Sequence, residues 1–192
     1  MNEEEMRAAT VGEPRVHDGT IDLADYDPAW PDLFTRESDR IRSTLGSVAR
    51  ALEHVGSTSV PGLAAKPIID IVLVVPESAN EAAYVPALEA IGYVLRIREP
   101  DWHEHRMLAR NEPSVQIHVF SEGCPEIERM LAFRNRLRGN AADRHLYERT
   151  KRHLARRTWR YVQNYADAKT AVVNDIIAGV GERGSDPGDA SP

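Results

Sequence analysis

The residues best suited to chemistry lie between His54 and Asp70, where a Gly-Ser turn follows one apolar stretch and a lone carboxylate opens the next. Gly56 lets the backbone approach an anion closely, and the Ser57 hydroxyl can donate a hydrogen bond to a phosphate oxygen. Asp70 stands near the start of the apolar run 68–75, where an unpaired buried carboxylate would be costly. We therefore expect Asp70 to have a partner, either a cation or a metal ion, and we expect phosphate handling beside it.

The elements that position these residues follow from the hydrophobic pattern, which indicates an α/β part and then a helical part. The run 68–75 is almost continuously apolar, which is typical of a central strand covered on both faces. We predict strands at 48–55, 68–75, 93–98, 106–110 and 115–120, and helices at 30–45, 80–91, 126–138, 141–158 and 161–178.

The domain organisation follows from the same pattern. Polar segments without apolar periodicity lie at both ends and are predicted to be disordered. We divide the chain into a disordered tail at 1–20, an α/β core at 21–122, a helical subdomain packed on it at 123–180, and a disordered tail at 181–192.

Four segments carry a resemblance to a known family. They are Asp-Tyr-Asp-Pro-Ala-Trp-Pro at 25–31, Glu-His-Val-Gly-Ser-Thr at 53–58, Pro-Gly-Leu-Ala-Ala-Lys-Pro-Ile-Ile-Asp-Ile at 61–71 and Ile-His-Val at 117–119. On these residues the chain resembles the GrpB family (UPF0157-like), a domain of which also occurs fused to dephospho-CoA kinases. The resemblance implies a fold similar to nucleotidyltransferases of the DNA polymerase beta type, namely an α/β (α+β) mixed sheet flanked by helices, with a C-terminal helical subdomain.

Nucleotidyltransferases of that type hold divalent metal ions with two carboxylates on the second strand and a third on a later strand, because Mg²⁺ prefers oxygen ligands. The resemblance places Gly56 and Ser57 at the phosphate-binding turn and Asp70 at the first carboxylate. Val72 stands at the second position, and Gln116 and His118 stand where the third is expected. Two of the three carboxylates are therefore missing, which argues against transfer by two metal ions.

Other residues offer substitutes for the missing carboxylates. Glu53 lies on the first strand and would bring a carboxylate near Asp70 if the two strands are neighbours. His54 and His118 could bind a softer ion such as Zn²⁺ or Mn²⁺, or act as acid and base. Since side chains alternate along a strand, only one of Glu53 and His54 is expected to face the site.

His54 and His118 could instead have structural roles. In that interpretation, His118 is a hydrogen-bonded core residue. We interpret His103 and His105 as residues of a polar loop without a role.

Three further residues are candidates for phosphate contacts. Lys66 lies just before the Asp70 strand, where it could contact a phosphate or pair with Asp70. Lys169 lies four residues after Tyr165 on one helical face, from which it could reach a triphosphate or make a structural contact. Thr58 belongs to the turn, although Ser57 and Thr58 could instead cap a short helix.

Bulk composition narrows the class of protein. The chain has 192 residues, 42% hydrophobic and 28% charged, as expected for a globular protein with one core. Its net charge of −6 argues against a nucleic-acid-binding protein, and no apolar run approaches the roughly 20 residues of a membrane span. The acidic N-terminus is unlike a secretory signal, and the single Cys124 fits a reducing compartment. We expect a cytoplasmic protein without membrane partners, and the sequence leaves its oligomeric state open.

Two functional hypotheses follow. The first is metal-dependent nucleotidyl transfer from a nucleoside triphosphate to an unknown acceptor, using Mg²⁺ or another divalent cation. The second is a catalytically degenerate module that binds a nucleotide or a CoA precursor; Val72 favours it. The residues assigned to the site are Asp70, His118 and Glu53 for catalysis, Asp70 and His118 for the metal, and Gly56, Ser57, Thr58, Lys66 and Lys169 for the phosphate-bearing ligand.

Overall fold

The computed structural model describes residues 2–179, in which five strands form one mixed sheet. The strand order is β1-β2-β5-β4-β3; β2 and β5 run parallel, and the other neighbouring pairs run antiparallel. The strands are β1 (Ala51–Val55), β2 (Ile69–Val75), β3 (Val94–Glu99), β4 (His105–Arg110) and β5 (Val115–Ser121). The expectation of a mixed sheet flanked by helices is confirmed.

Seven α-helices accompany the sheet in the described residues. All strands precede residue 122, and the helices that follow are contiguous, as the sequence pattern predicts; that these helices form a separate subdomain stays a prediction. The helices are α1 (Glu3–Ala9), α2 (Trp30–Leu45), α3 (Val85–Ala90), α4 (Pro125–Gly139), α5 (Ala141–Ala155), α6 (Val162–Asp167) and α7 (Thr170–Ile177). The predicted tail at 181–192 lies outside the described residues.

Two predicted helices are each divided in the structure. The segment predicted at 80–91 is a 3-10 turn at Glu81–Ala83 followed by α3, which begins at Val85 and has Pro86 in its first turn. Proline lacks an N–H and is tolerated in the first turn of a helix but not in its interior, so a single helix through this position is disfavoured. The segment predicted at 161–178 consists of α6 and α7, separated at Ala168 and Lys169.

The described part of the N-terminal segment contains the helix α1, and the disorder expected for the tail 1–20 stays a prediction. Asn2 and Glu5 form a reciprocal capping box at the start of α1. Met6 and Ala9 are buried, and Thr10 bridges to Ile97 on β3. The Asn-x-x-Glu spacing was a helix signal in the sequence, and the burial of two apolar side chains offsets the entropy of ordering the segment.

The two faces of the sheet pack against different helices. Ile69, Ile71 and Leu73 point to one face and form the main core with α2 and α3. Val72 and Val74 point to the opposite face, where they pack with residues of α4 such as Ile127 and Leu131. Because side chains alternate along β2, Asp70 shares this second face with Val72, but it lies at the end that α4 leaves partly open. Its side chain is 26% exposed.

Among residues 2–179, no helix is both long and apolar enough to cross a membrane.

Candidate functional site

A cleft of about 1550 Å³ lies against the second face of the sheet, beside Asp70. Its floor is made by cleft-facing side chains of the central strands, including Asp70, Gln116 and His118. Its walls come from the C-terminal helices and from part of the N-terminal segment, 5–17. The cleft therefore joins residues from both ends of the described chain.

The predicted turn lies directly over the predicted carboxylate. Val55 pairs with Asp70 across β1 and β2, so the chain turns at Gly56 immediately beside the Asp70 side chain. Gly56 has a φ of 67°, and a Cβ at this position would overlap the Asp70 carboxylate. Only glycine satisfies both the positive φ and the close approach. The structure thus brings Gly56, Ser57 and Asp70 together.

Lys151 of α5 contacts this turn, and the sequence analysis did not single it out. Its Nζ donates hydrogen bonds to Ser57 Oγ at 2.9 Å and to the Ala64 carbonyl, and it lies 5.0 Å from the centre of the Tyr147 ring. The residue is 2% exposed, and this burial lowers the pKa of its ammonium group to about 7. The Tyr147–Lys151 spacing, four residues on one helix face, was the available signal.

Lys66 and Lys169 lie close enough to Asp70 for electrostatic interaction. Burial lowers the pKa of both lysines, and the negative charge of Asp70 opposes this shift. Lys169 Nζ also lies 4.5 Å from the centre of the Tyr165 ring. Lys66, Lys151 and Lys169 all line the cleft.

Thr58 has a structural role in the turn. It is 1% exposed, and its Oγ1 donates to the Ile68 carbonyl at 2.9 Å and lies 3.1 Å from His54 Nε2. These bonds connect the turn to Ile68, which directly precedes β2, and to the side chain of His54. The Thr58 hydroxyl therefore stabilises the turn, and it already has hydrogen-bond partners in Ile68 and His54.

His118 is part of a row of hydrogen-bonded side chains. Its Nε2 lies 3.9 Å from Asp70 Oδ1, and its Nδ1 lies 3.1 Å from His105 Nε2. His105 Nδ1 lies 2.7 Å from Glu99 Oε2. Burial lowers the pKa of His105, although its bond to Glu99 opposes this shift. The interpretation of His105 as a loop residue is wrong, because it begins strand β4 and is buried, whereas His103 does lie in the preceding turn.

Glu53 and His54 do not join this group. Glu53 is directly opposite Val72, and its carboxylate is bound by Arg134 at 2.8 Å. His54 points to the other face of the sheet, where it stacks on Phe34 at 4.8 Å and where burial lowers its pKa to about 4. Glu53 and His54 face opposite sides of the sheet, as alternation predicts, and the negative charge of Asp70 opposes the lowering of the His54 pKa.

The position expected for the second carboxylate belongs to the hydrophobic core. Val72 is fully buried against α4, so this position belongs to the packing between sheet and helix. Within residues 2–179, no group of three or more His, Cys, Asp or Glu side chains is arranged to hold a metal ion. Asp70 and His118 both lie on the cleft floor, and Gln116 is directly opposite Asp70 on β5.

Comparison with known proteins gives a consistent family assignment. The family model described as GrpB protein matches residues 20–178. The chain is 58% identical over 175 residues to the UPF0157 protein BH1888 of Halalkalibacterium halodurans, covering 91% of this chain and 90% of that protein. It is similar to a crystal structure of the conserved protein GrpB from Enterococcus faecalis, with a TM-score of 0.73, 32% identity, and coverage of 84% of this chain and 98% of that one.

A dephospho-CoA kinase of Mycolicibacterium paratuberculosis is 28% identical over 176 residues, covering 78% of this chain but 43% of that enzyme. The similarity therefore concerns only part of the kinase chain. Because the family model spans residues 20–178 and the UPF0157 protein BH1888 aligns over 90% of its own length, this chain belongs to the GrpB family.

Proposed function

We propose that this chain binds a nucleotide through its phosphates in the cleft beside Asp70. The observation that carries the proposal is the buried ammonium group of Lys151, held against Ser57 at the Gly-Ser turn. Lys66 and Lys169 add two more cationic groups to the same cleft.

The environment of Lys151 favours an anionic ligand. Its ammonium group contacts a hydroxyl, a carbonyl and an aromatic ring, all of which are neutral. A buried cation without an anionic contact is unfavourable, as its lowered pKa reflects. A phosphate group beside Ser57 would supply the missing negative charge and accept charge-assisted hydrogen bonds.

Two aromatic residues extend the argument from a phosphate to a nucleotide. Tyr165 lines the cleft, and its buried hydroxyl has no hydrogen-bond partner among the described residues, so a ligand oxygen would satisfy it. Trp102 also lines the cleft and is 43% exposed, which leaves part of its indole available for stacking with a base. The cleft is larger than a lone phosphate requires.

The test is calorimetric titration of the protein with nucleoside triphosphates and with dephospho-CoA, each with a chelator and with Mg²⁺ or Mn²⁺. We expect Lys151→Met to weaken binding about ten- to a hundredfold, since a hydrogen bond to a charged group contributes about 1.5–3 kcal/mol. The matched control is Arg149→Met, which removes one positive charge from the exposed face of the same helix. Equal affinities of the two variants for every ligand would contradict the proposal.

A second candidate function is nucleotidyl transfer, and the Asp70–His118 pair favours it. These residues would hold one divalent cation, Mg²⁺ or another, which when bound would act as a Lewis acid on a phosphate oxygen. The lysines would bind the phosphates, and the Gly56 turn would bring the backbone close to them. Glu53 is paired with Arg134, so this form of the proposal assigns it no catalytic role. With an α-labelled triphosphate, a divalent cation and heat-treated cell extract as the source of the acceptor, the wild type should yield a labelled acceptor and pyrophosphate, and Asp70→Asn should yield neither.

A further inference from the structure

Ser57 and Lys151 form a pair in which a hydroxyl of the cleft contacts a buried amine. Lys151 Nζ lies 2.9 Å from Ser57 Oγ, a separation typical of a nucleophile and its general base. Lys151 is 2% exposed, whereas Ser57 is only half-buried and lines the cleft. A ligand in the cleft can therefore contact the Ser57 hydroxyl, while the amine beside it is largely excluded from solvent.

A second contact orients the amine of Lys151. A backbone carbonyl oxygen only accepts hydrogen bonds, so Lys151 donates one N–H to the Ala64 carbonyl whether it is charged or neutral. In the neutral amine, the lone pair is then available to accept the hydrogen of Ser57. Ser57 and Ala64 both belong to the connection between β1 and β2, so one segment of chain holds the hydroxyl and the amine together.

The charges around Lys151 support a neutral amine at and above neutral pH. Burial is the largest cause that lowers its pKa to about 7, and the charges of Lys169 and Arg152 act in the same direction. The charge of Glu148 opposes this shift. Burial also raises the pKa of Tyr147 to about 12, so the phenol beside the amine stays uncharged.

We propose that Ser57 is a nucleophile and Lys151 its general base, and that the pair hydrolyses small uncharged carboxylic esters in the cleft. Ser57 Oγ attacks the ester carbonyl carbon while its proton passes to Lys151 Nζ, and the carbonyl electron pair moves onto the oxygen. When this pair returns, the bond to the alcohol oxygen breaks and the leaving alkoxide takes the proton from Lys151. The acyl group remains on Ser57.

Water completes the reaction by attacking the acyl group on Ser57. Lys151 accepts a proton from the water molecule and returns it to Ser57 Oγ as the acyl–oxygen bond breaks, which releases a carboxylic acid. Serine–lysine pairs of this kind occur on unrelated folds, and they are identified by geometry rather than by sequence position.

The surroundings of the pair determine the class of substrate. An anionic group beside Lys151 would stabilise its ammonium form, which has no lone pair to accept the Ser57 proton. The reactive pair therefore requires an uncharged ester, and this activity is separate from nucleotide binding. Tyr165 also lines the cleft, and its buried hydroxyl has no hydrogen-bond partner among the described residues, so it is available to donate to a substrate oxygen.

The first test traps the nucleophile with an uncharged fluorophosphonate probe. Ser57 Oγ displaces fluoride from phosphorus and forms a stable ester, which peptide mass spectrometry locates. We expect label on Ser57 in the wild type and labelling about a hundredfold slower, or more, in Lys151→Met. Arg149→Met, on the exposed face of the same helix, should be labelled at the wild-type rate. A wild type without label on Ser57 would overturn the proposal.

The second test measures the labelling rate of the wild type against pH, so no variant has to fold. With Lys151 as the base, the rate should rise about tenfold per pH unit up to a pH of about 7 and then level off. A serine activated by hydroxide alone would react faster with each further pH unit. A rate that keeps rising in this way up to pH 9 would overturn the role of Lys151.

The third test measures turnover of the uncharged ester 4-nitrophenyl butyrate. We expect Ser57→Ala to lose at least about a hundredfold in kcat/KM, and Ser43→Ala, at an exposed position of α2, to match the wild type. We expect slower turnover of mono-4-nitrophenyl succinate, which carries a free carboxylate. Wild-type turnover by Ser57→Ala would overturn the activity, and equal turnover of the two esters would overturn the assignment of an uncharged substrate. Nucleotide titrations decide the proposed function independently of these results.

Discussion

The burial of Lys151 predicts that this residue lowers stability while it supports binding. Its ammonium group has a pKa lowered to about 7 from 10.5, with burial as the largest cause. One pKa unit corresponds to about 1.4 kcal/mol, so keeping Lys151 charged in the folded state costs a few kcal/mol near neutral pH. Lys151→Met retains most of the side-chain volume and removes this cost, so we expect the variant to be more stable than the wild type at pH 6–7.

The pH dependence gives a sharper form of the same prediction. Between about pH 7 and pH 10.5 the unfolded chain keeps a proton on Lys151 that the folded chain has lost. The Lys151 contribution to the free energy of unfolding therefore rises with pH across this window, by at most about 1.4 kcal/mol per pH unit, and is constant below it. We expect the difference in unfolding free energy, wild type minus Lys151→Met, to increase by about 2–4 kcal/mol from pH 6 to pH 9.5.

Urea denaturation at half-unit pH intervals measures this difference, with Arg149→Met as the control in which it should stay flat. Taking the difference between two proteins removes the contribution of the other groups that titrate in the same range. A flat difference between wild type and Lys151→Met would refute the reasoning, because it would mean that Lys151 titrates equally in the folded and unfolded states.

Three further predictions concern neighbouring groups. Asp70→Asn should abolish metal-dependent nucleotide binding and leave the fold intact, as shown by calorimetry and circular dichroism; unchanged affinity would exclude Asp70 from the site. Gly56→Ala should lower the unfolding free energy by about 1–3 kcal/mol and weaken nucleotide binding, because a Cβ meets the Asp70 carboxylate at a positive φ; wild-type stability would contradict this. Burial lowers the pKa of His54 to about 4 from 6.5. Between pH 6.5 and pH 4 the unfolded chain therefore binds a proton that the folded chain does not, so the His54 contribution to the free energy of unfolding should decrease as the pH falls through this range. His54→Phe should lose this acid-sensitive component in denaturation at pH 4.5 and 7.

The sequence predicted the part of the site that is local in the chain. Gly56 and Ser57 directly follow β1 and Asp70 lies at the start of the next strand, β2, and residue types alone indicate a tight turn next to a carboxylate. Alternation along β1 also placed Glu53 and His54 on opposite faces. Whether either side chain would lie beside Asp70 depended on the register of β1 against β2, and the register pairs Val55 with Asp70 and leaves Glu53 opposite Val72.

The residues that sequence reasoning missed depend on packing between distant segments. Lys151 reaches Ser57 only because α5 packs beside the turn, across 94 residues of chain. His105 was hidden by its neighbours, since Trp102-His103-Glu104 has the composition of a loop and two of these residues have positive φ. The strand begins only at His105, where pairing with Glu99 turns an apparently isolated histidine into a buried, hydrogen-bonded one.

The charges of the cleft explain how a site with one carboxylate could still bind a polyphosphate. In a site with three carboxylates, metal ions must offset the repulsion between the protein and the phosphates before a nucleotide can bind. Here Val72 removes one carboxylate, Arg134 neutralises Glu53, and three lysines line the cleft with Asp70. In the proposed function, most of the positive charge offered to the phosphates would therefore come from side chains, so we expect nucleotide affinity to survive in chelator at a reduced level. Valine in place of a carboxylate at position 72 is then expected to change the dependence on metal rather than the capacity to hold the ligand.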